Sequence, residues 1–119
     1  MSAQTKPITV AELKGFEKDA EKVWNEDERN AFIDFLARHP DKGLIIEGTG
    51  GVRKIRWSRE GMGKRGGVRV VYYFYSEDEP IYLLAIYGKG ERSDLDAAQK
   101  KAARAFVDNL KSSLKRKRQ

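Results

Sequence analysis

Residues 61–75 read GMGKRGGVRVVYYFY, and positions 61–69 of that run hold four glycines and three cations. Lys64 and Arg65 sit among the glycines, and Arg69 opens a strongly β-forming stretch. Lys54 and Arg56 occupy a second such stretch, and Lys89 follows a third. Arg and Lys side chains bind phosphate and stabilise the negative charge that develops in phosphoryl transfer. On RNA, the 2′-hydroxyl can itself attack the adjacent phosphate. The protein then has to align the backbone, hold the developing dianion and manage two protons. A tyrosine or lysine can do the proton work where crowded cations lower its pKa. Tyr73, Tyr75 and Tyr87 are candidates, with a plain role as sheet-surface aromatics as the alternative; Tyr72 and Tyr82 read as core or interface.

Other chemistries lack their residues. His39 is the only histidine, so two-histidine ribonuclease chemistry is excluded. It stands in Arg38-His39-Pro40, where a helix C-terminus suits a partial positive charge. There is no cysteine, hence no disulfide frame and no thiolate nucleophile. The acids are scattered without a D-x-D-x-D or H-x-E cluster, so neither a metal cage nor a cofactor is expected. Residues 61–68 match G-x-G-x-x-G-x-V, but the loop leads into a strand rather than a helix, and the chain is too short for the other kinase segments. The glycines more simply leave Lys64 and Arg65 free to reach phosphate.

The elements that must carry these residues follow from periodicity. Residues 8–13 suit an edge strand, although Thr9 and Glu12 would equally form a helix capping box. Leu13, Phe16, Ala20, Val23 and Trp24 recur at helical spacing, which predicts a helix over 15–24. Asn25 is a candidate N-cap for a second helix with a Phe32, Phe35, Leu36 stripe, stopped by Pro40. A glycine turn at 48–51 precedes strands over 52–57, 68–75 and 81–87, the last two joined as a hairpin. Ser93 is a candidate cap for a final helix whose apolar face runs Leu95, Ala98, Ala102, Phe106, Leu110, Leu114. The basic end, about 115–119, is expected to fray. The order (β)ααβββα predicts an α+β domain: an antiparallel twisted sheet with helices packed mainly on one face. Side-chain alternation then puts Val70, Leu84, Ile86 and Ile55 under the helices. It leaves Lys54, Arg56, Arg69, Tyr73 and Tyr87 together on an uncovered face.

At 119 residues the whole chain, 1–119, reads as a single domain. Its net charge of +6 is unevenly placed. Residues 1–34 carry 5 Lys/Arg and 8 Asp/Glu, whereas residues 53–69 hold seven cations against Glu60 alone. Such asymmetry points to nucleic acid or another acidic partner. No run approaches a membrane span, and MSAQTKP lacks a signal-peptide core, which favours the cytoplasm.

Three stretches, in order, resemble the HigB branch of the RelE/ParE toxin superfamily: Gly48-Thr49-Gly50-Gly51-Val52-Arg53-Lys54-Ile55-Arg56, then Gly63 through Phe74, then Ile86-Tyr87-Gly88-Lys89 with Ser93-Asp94-Leu95. The similarity runs from about Phe16 to about Phe106. It implies a RelE-like fold and the toxin of a type II toxin–antitoxin pair, cleaving mRNA on the ribosome without a metal. It also implies a cognate antitoxin, expected to be a small helix-turn-helix protein, and compatibility with a higher-order toxin–antitoxin complex. By position, Lys54, Arg56 and Arg69 match the basic strand residues used on the scissile phosphate, and Lys89 a basic residue after the last strand. RelE places a functional tyrosine early in its final helix; the stretch near Asp96 has none, and Tyr87 stands as the substitute. Catalysis is thus assigned to Arg56, Arg69 and Tyr87, and RNA binding to Lys54, Lys64, Arg65, Tyr73 and Lys89. ParE-like members share the fold but act on DNA gyrase. That alternative, like a passive RNA-binding module, stays open on the sequence.

Overall fold

The computed structural model describes residues 8–57, 67–88 and 95–117, without the side chain of Lys117. Lys64, Arg65 and Lys89 lie outside the described residues, as do most of the glycine loop and Ser93. The elements are β1 (Val10–Glu12), α1 (Lys14–Ala20), α2 (Glu26–Arg38), β2 (Leu44–Ile45), β3 (Arg53–Trp57), β4 (Val68–Tyr73), β5 (Ile81–Tyr87) and α3 (Ala97–Lys117). They form one five-stranded sheet in the order β1-β5-β4-β3-β2 with three helices, an α+β fold.

The sheet is mixed rather than wholly antiparallel. β1 is the expected edge strand, but it runs parallel to β5, in register Val10 to Ile81. Its position is fixed on two sides. The Leu13 amide donates to the Leu83 carbonyl. Glu12, its side chain 7% exposed, takes a two-point ion pair from Arg29 of α2, with Nε donating to Oε2 at 3.0 Å. That bond holds the Arg29 guanidinium above its ordinary pKa, against the opposing effect of burial.

α1 is shorter than the periodicity suggests. It ends at Ala20, and residues 21–24 continue as turns bonded back to Ala20 and Asp19. α2 then starts at a complete capping box. The Asn25 side chain accepts from the Glu28 amide at 2.8 Å, and Glu28 accepts from the Asn25 amide at 2.9 Å. Glu26, Asp27 and Glu28 complement the positive end of the helix. His39 is the C-cap residue, stacked on Phe35 with ring centroids 4.9 Å apart.

Two apolar layers enclose the sheet. On one face, α1, α2 and the turn between them bring Phe16, Trp24, Phe32 and Leu36 onto Val68, Val70, Tyr72, Ile81, Leu83 and Ile86. Trp24, Phe32, Trp57 and Phe35 make a continuous chain of ring contacts there, with centroids 5.0 to 5.5 Å apart. On the other face, α3 brings Ala103 and Val107 onto Val52, Val71 and Tyr73. The face expected to be open is therefore half covered by α3. β4 carries the signature of such two-sided burial: Val70 and Tyr72 on one side, Val71 and Tyr73 on the other.

A β-bulge corrects the alternation expected for β5. Val71 pairs with Ala85, but Tyr72 pairs with Leu83, so one residue of β5, Leu84, is left over. Tyr82 and Leu84 consequently join the α3 side, while Ile81, Leu83 and Ile86 face α1 and α2. The expected grouping of Leu84 with Ile86 fails for this reason alone.

β2, which the sequence pattern did not reveal, is two residues long and pairs with β3 around the glycine turn. Gly48, Gly50 and Gly51 all adopt positive φ. Thr49, fully buried at the centre of the turn, donates to the Ile46 carbonyl at 2.7 Å and accepts from the Val52 amide at 3.0 Å. The turn that launches β3 is thus held from inside.

α3 starts at Ala97 behind a second reciprocal cap, in which Asp96 and Gln99 exchange backbone-to-side-chain bonds at 2.8 and 2.9 Å. The basic stretch 115–117 continues the helix. Among the described residues, no helix is long and apolar enough to cross a membrane.

Candidate phosphate-binding site

Strand register alone builds the site. In the β3–β4 pair Arg56 lies directly opposite Arg69, and in the β4–β5 pair Arg69 lies directly opposite Tyr87. The three residues form one row across three adjacent strands and point to the same face. Lys54 lies on that face two positions along β3, opposite Val71. Lys54, Arg56, Arg69 and Tyr87 therefore emerge on one side of the sheet.

Directly opposed residues bring their Cβ atoms to about 5 Å, and like charges so placed destabilise a sheet by roughly 0.2–1 kcal/mol. Arg56 is exposed and Arg69 half-buried. Among the described residues neither guanidinium makes a hydrogen bond or ion pair. β3, β4 and β5 contain no Asp or Glu. Two arginines held side by side, with no carboxylate paired to them among the described residues, can hold an anion, and their planar forks suit the oxygens of a phosphate.

The side chains around the row divide into those that line it and those that support it. Tyr87 is half-buried and forms a wall of an apolar hollow of about 260 Å3 between β5 and α3, with Leu84, Leu95, Gln99 and Phe106. Tyr73, expected on the open surface, is 3% exposed beneath α3, and burial raises its pKa. A ring so enclosed offers no free face for stacking. Tyr75 is 38% exposed, its ring 6.5 Å from that of Tyr73. Arg53 belongs to the opposite face and is spent on structure, donating to the Gly43 and Asp41 carbonyls at 2.8 and 3.2 Å.

Tyr72 locks the same region from beneath. Its hydroxyl donates to the Pro40 carbonyl and accepts from the Gly43 amide, both at 2.8 Å. Burial pushes its pKa up, against the lowering effect of the Gly43 bond. A Cβ at Gly43 would come within 2.7 Å of that hydroxyl and 2.9 Å of the Lys54 carbonyl. The backbone of β3 at Lys54 is therefore fixed against the 40–43 segment. Among the described residues no group of three or more His, Cys, Asp and Glu is placed to hold a metal ion.

No family model matches the sequence. Among solved structures, the fold is similar to that of the E. coli toxin RelE, determined as a double arginine-to-alanine mutant in the free state, with a TM-score of 0.51 and 15% identity. The match covers 86% of this chain and 98% of that one. The domain is thus a RelE-like α+β fold.

Proposed function

We propose that this chain is the toxin of a type II toxin–antitoxin pair, of the HigB type, and acts as a ribosome-dependent endoribonuclease on translated mRNA. The observation that carries the proposal is the Arg56–Arg69–Tyr87 row, two arginines without an ion pair among the described residues, beside a tyrosine on three adjacent strands. The likeness in fold to a toxin, RelE, supports it, as do the three motif stretches that resemble the HigB branch.

In this reading Arg56 and Arg69 clamp the scissile phosphate. The 2′-oxygen of the preceding ribose attacks phosphorus as the bond to the 5′-oxygen breaks, leaving a cyclic phosphate and a free 5′-hydroxyl. Charge accumulates on the non-bridging oxygens, where fixed guanidinium groups count most. Tyr87, adjacent to Arg69, is the proton-transfer group. Lys54 holds the backbone one step along β3, and Lys64, Arg65 and Lys89 extend that grip. Tyr73 is part of the floor beneath α3 instead of a stacking surface. No step calls for a metal. A small helix-turn-helix antitoxin would silence the toxin by covering the row.

Mapping transcript 5′ ends after induction tests the proposal. Cuts phased with codons in translated messages are expected. Intact messages accompanied by DNA damage would contradict it in favour of a gyrase inhibitor, and harmless expression in favour of a passive RNA-binding module.

A further inference from the structure

The two faces of the sheet carry opposite charge, and the positive side extends well beyond the Arg56–Arg69–Tyr87 row. Residues 14–38, which span α1 and α2, hold five Lys/Arg and seven Asp/Glu. α3, residues 97–117, holds seven Lys/Arg and a single acid, Asp108. Four of these seven cations fall together on the helix surface. With about 100° per residue, and Ala103, Val107 and Leu114 buried against the sheet, Lys100, Arg104, Lys111 and Lys115 fall on one flank. Arg104, Lys111 and Lys115 are exposed and Lys100 is partly so.

Contacts along α3 orient this flank. Leu95 and Gln99 lie beside Tyr87, so the helix begins near the arginine row. Further along, a Cβ at Gly50 would approach the Arg104 side chain to 3.1 Å, so the cationic flank faces the turn that launches β3. Lys54 and Arg56 lie along β3 on this same side of the sheet. From Lys100 to Lys115 the stripe spans about 22 Å, in steps of one or two helical turns. Asp108 does not neutralise it: its pairing with Arg104 is 3.5 Å long, and both side chains are more than half exposed.

We infer that the Lys100–Arg104–Lys111–Lys115 flank of α3 is a second RNA-docking surface, which grips the phosphate backbone of folded RNA while the strand row engages the strand to be cut. The choice of RNA as the polyanion rests on the proposed function; the surface itself rests on charge and geometry. Point charges repeated along a rigid rod read backbone and shape rather than sequence. The acidic α1–α2 side repels the same polymer, so approach is oriented.

The test is binding, not cleavage, so its failure is distinguishable from failure of the nuclease proposal. The full chain is titrated with an RNA duplex of about 16 base pairs over a range of salt. Combining Lys100→Gln, Arg104→Gln, Lys111→Gln and Lys115→Gln should weaken binding roughly tenfold or more, and should lower the slope of log affinity against log salt by about four. Replacing the three lysines by arginine should preserve both, which a merely structural role for these positions would not ensure. Affinity and slope equal to the parent's in the glutamine variant, with an unchanged thermal melt, would overturn the inference. So would a loss of binding seen only with poly-glutamate and not with the duplex, since the flank would then be a protein-docking surface.

Discussion

At the scale of single residues, the arrangement is a trade of stability against binding. Arg56 and Arg69 face each other across β3 and β4 with no acid in the three central strands. A purely structural sheet gains nothing from that pair and loses a fraction of a kcal/mol; a bound phosphate reverses the sign. Arg56→Thr should therefore leave the protein folded, and its thermal midpoint in buffer without phosphate should hold or rise slightly. Calorimetry with and without a polyanion measures both terms. Tyr72 has the opposite character, buried and doubly bonded. Tyr72→Phe strands the Gly43 amide and the Pro40 carbonyl, and should cost about 1–3 kcal/mol by denaturant unfolding. Because its folded pKa is raised, the neutral phenol's contribution is complete below the unfolded value near 10 and is lost as pH rises through the folded value. Between about pH 10 and that folded value the parent should accordingly lose stability more steeply than the variant.

At the scale of elements, local chemistry was legible wherever one residue type has one physical use. Asn25 announced the start of α2 because its side chain can satisfy an orphan amide, and Glu28 completed the box. Asn25→Ala should cost about 1 kcal/mol of global stability, read from the urea midpoint at unchanged m-value. The three central strands were legible from β-branched and aromatic runs, and the register they adopt puts Lys54, Arg56, Arg69 and Tyr87 on one face as alternation expects. What alternation could not supply was the bulge at Leu84, since one extra residue in β5 inverts the parity of everything before it and leaves no mark in composition. β2 escaped notice because two residues carry no periodicity, and its Leu44 and Ile45 are exposed at an edge. The placement of α3 is hidden for a different reason. Its apolar stripe shows that it must pack on something, not which face of the sheet it chooses; only the apolar second face of β4 carried that information. Alternation alone therefore makes Tyr73 a surface ring, whereas α3 makes it part of the second core.

At the scale of the whole molecule, one sheet separates an acidic helical layer from a basic one, with the arginine row at the border of the basic layer. That separation gives the molecule a direction in the field of a polyanion, and association with RNA should slow steeply as salt rises. Stopped-flow binding across a salt series checks this, and a flat dependence would mean the layers play no part in approach. The most direct measurement, however, is the rate at which purified protein cuts a ribosome-bound message. The parent should cut, and Arg69→Ala, folded by circular dichroism, should cut slower by on the order of 100- to 1000-fold. An Arg69→Ala rate within about twofold of the parent's would contradict the assignment of the strand row as the cleavage centre.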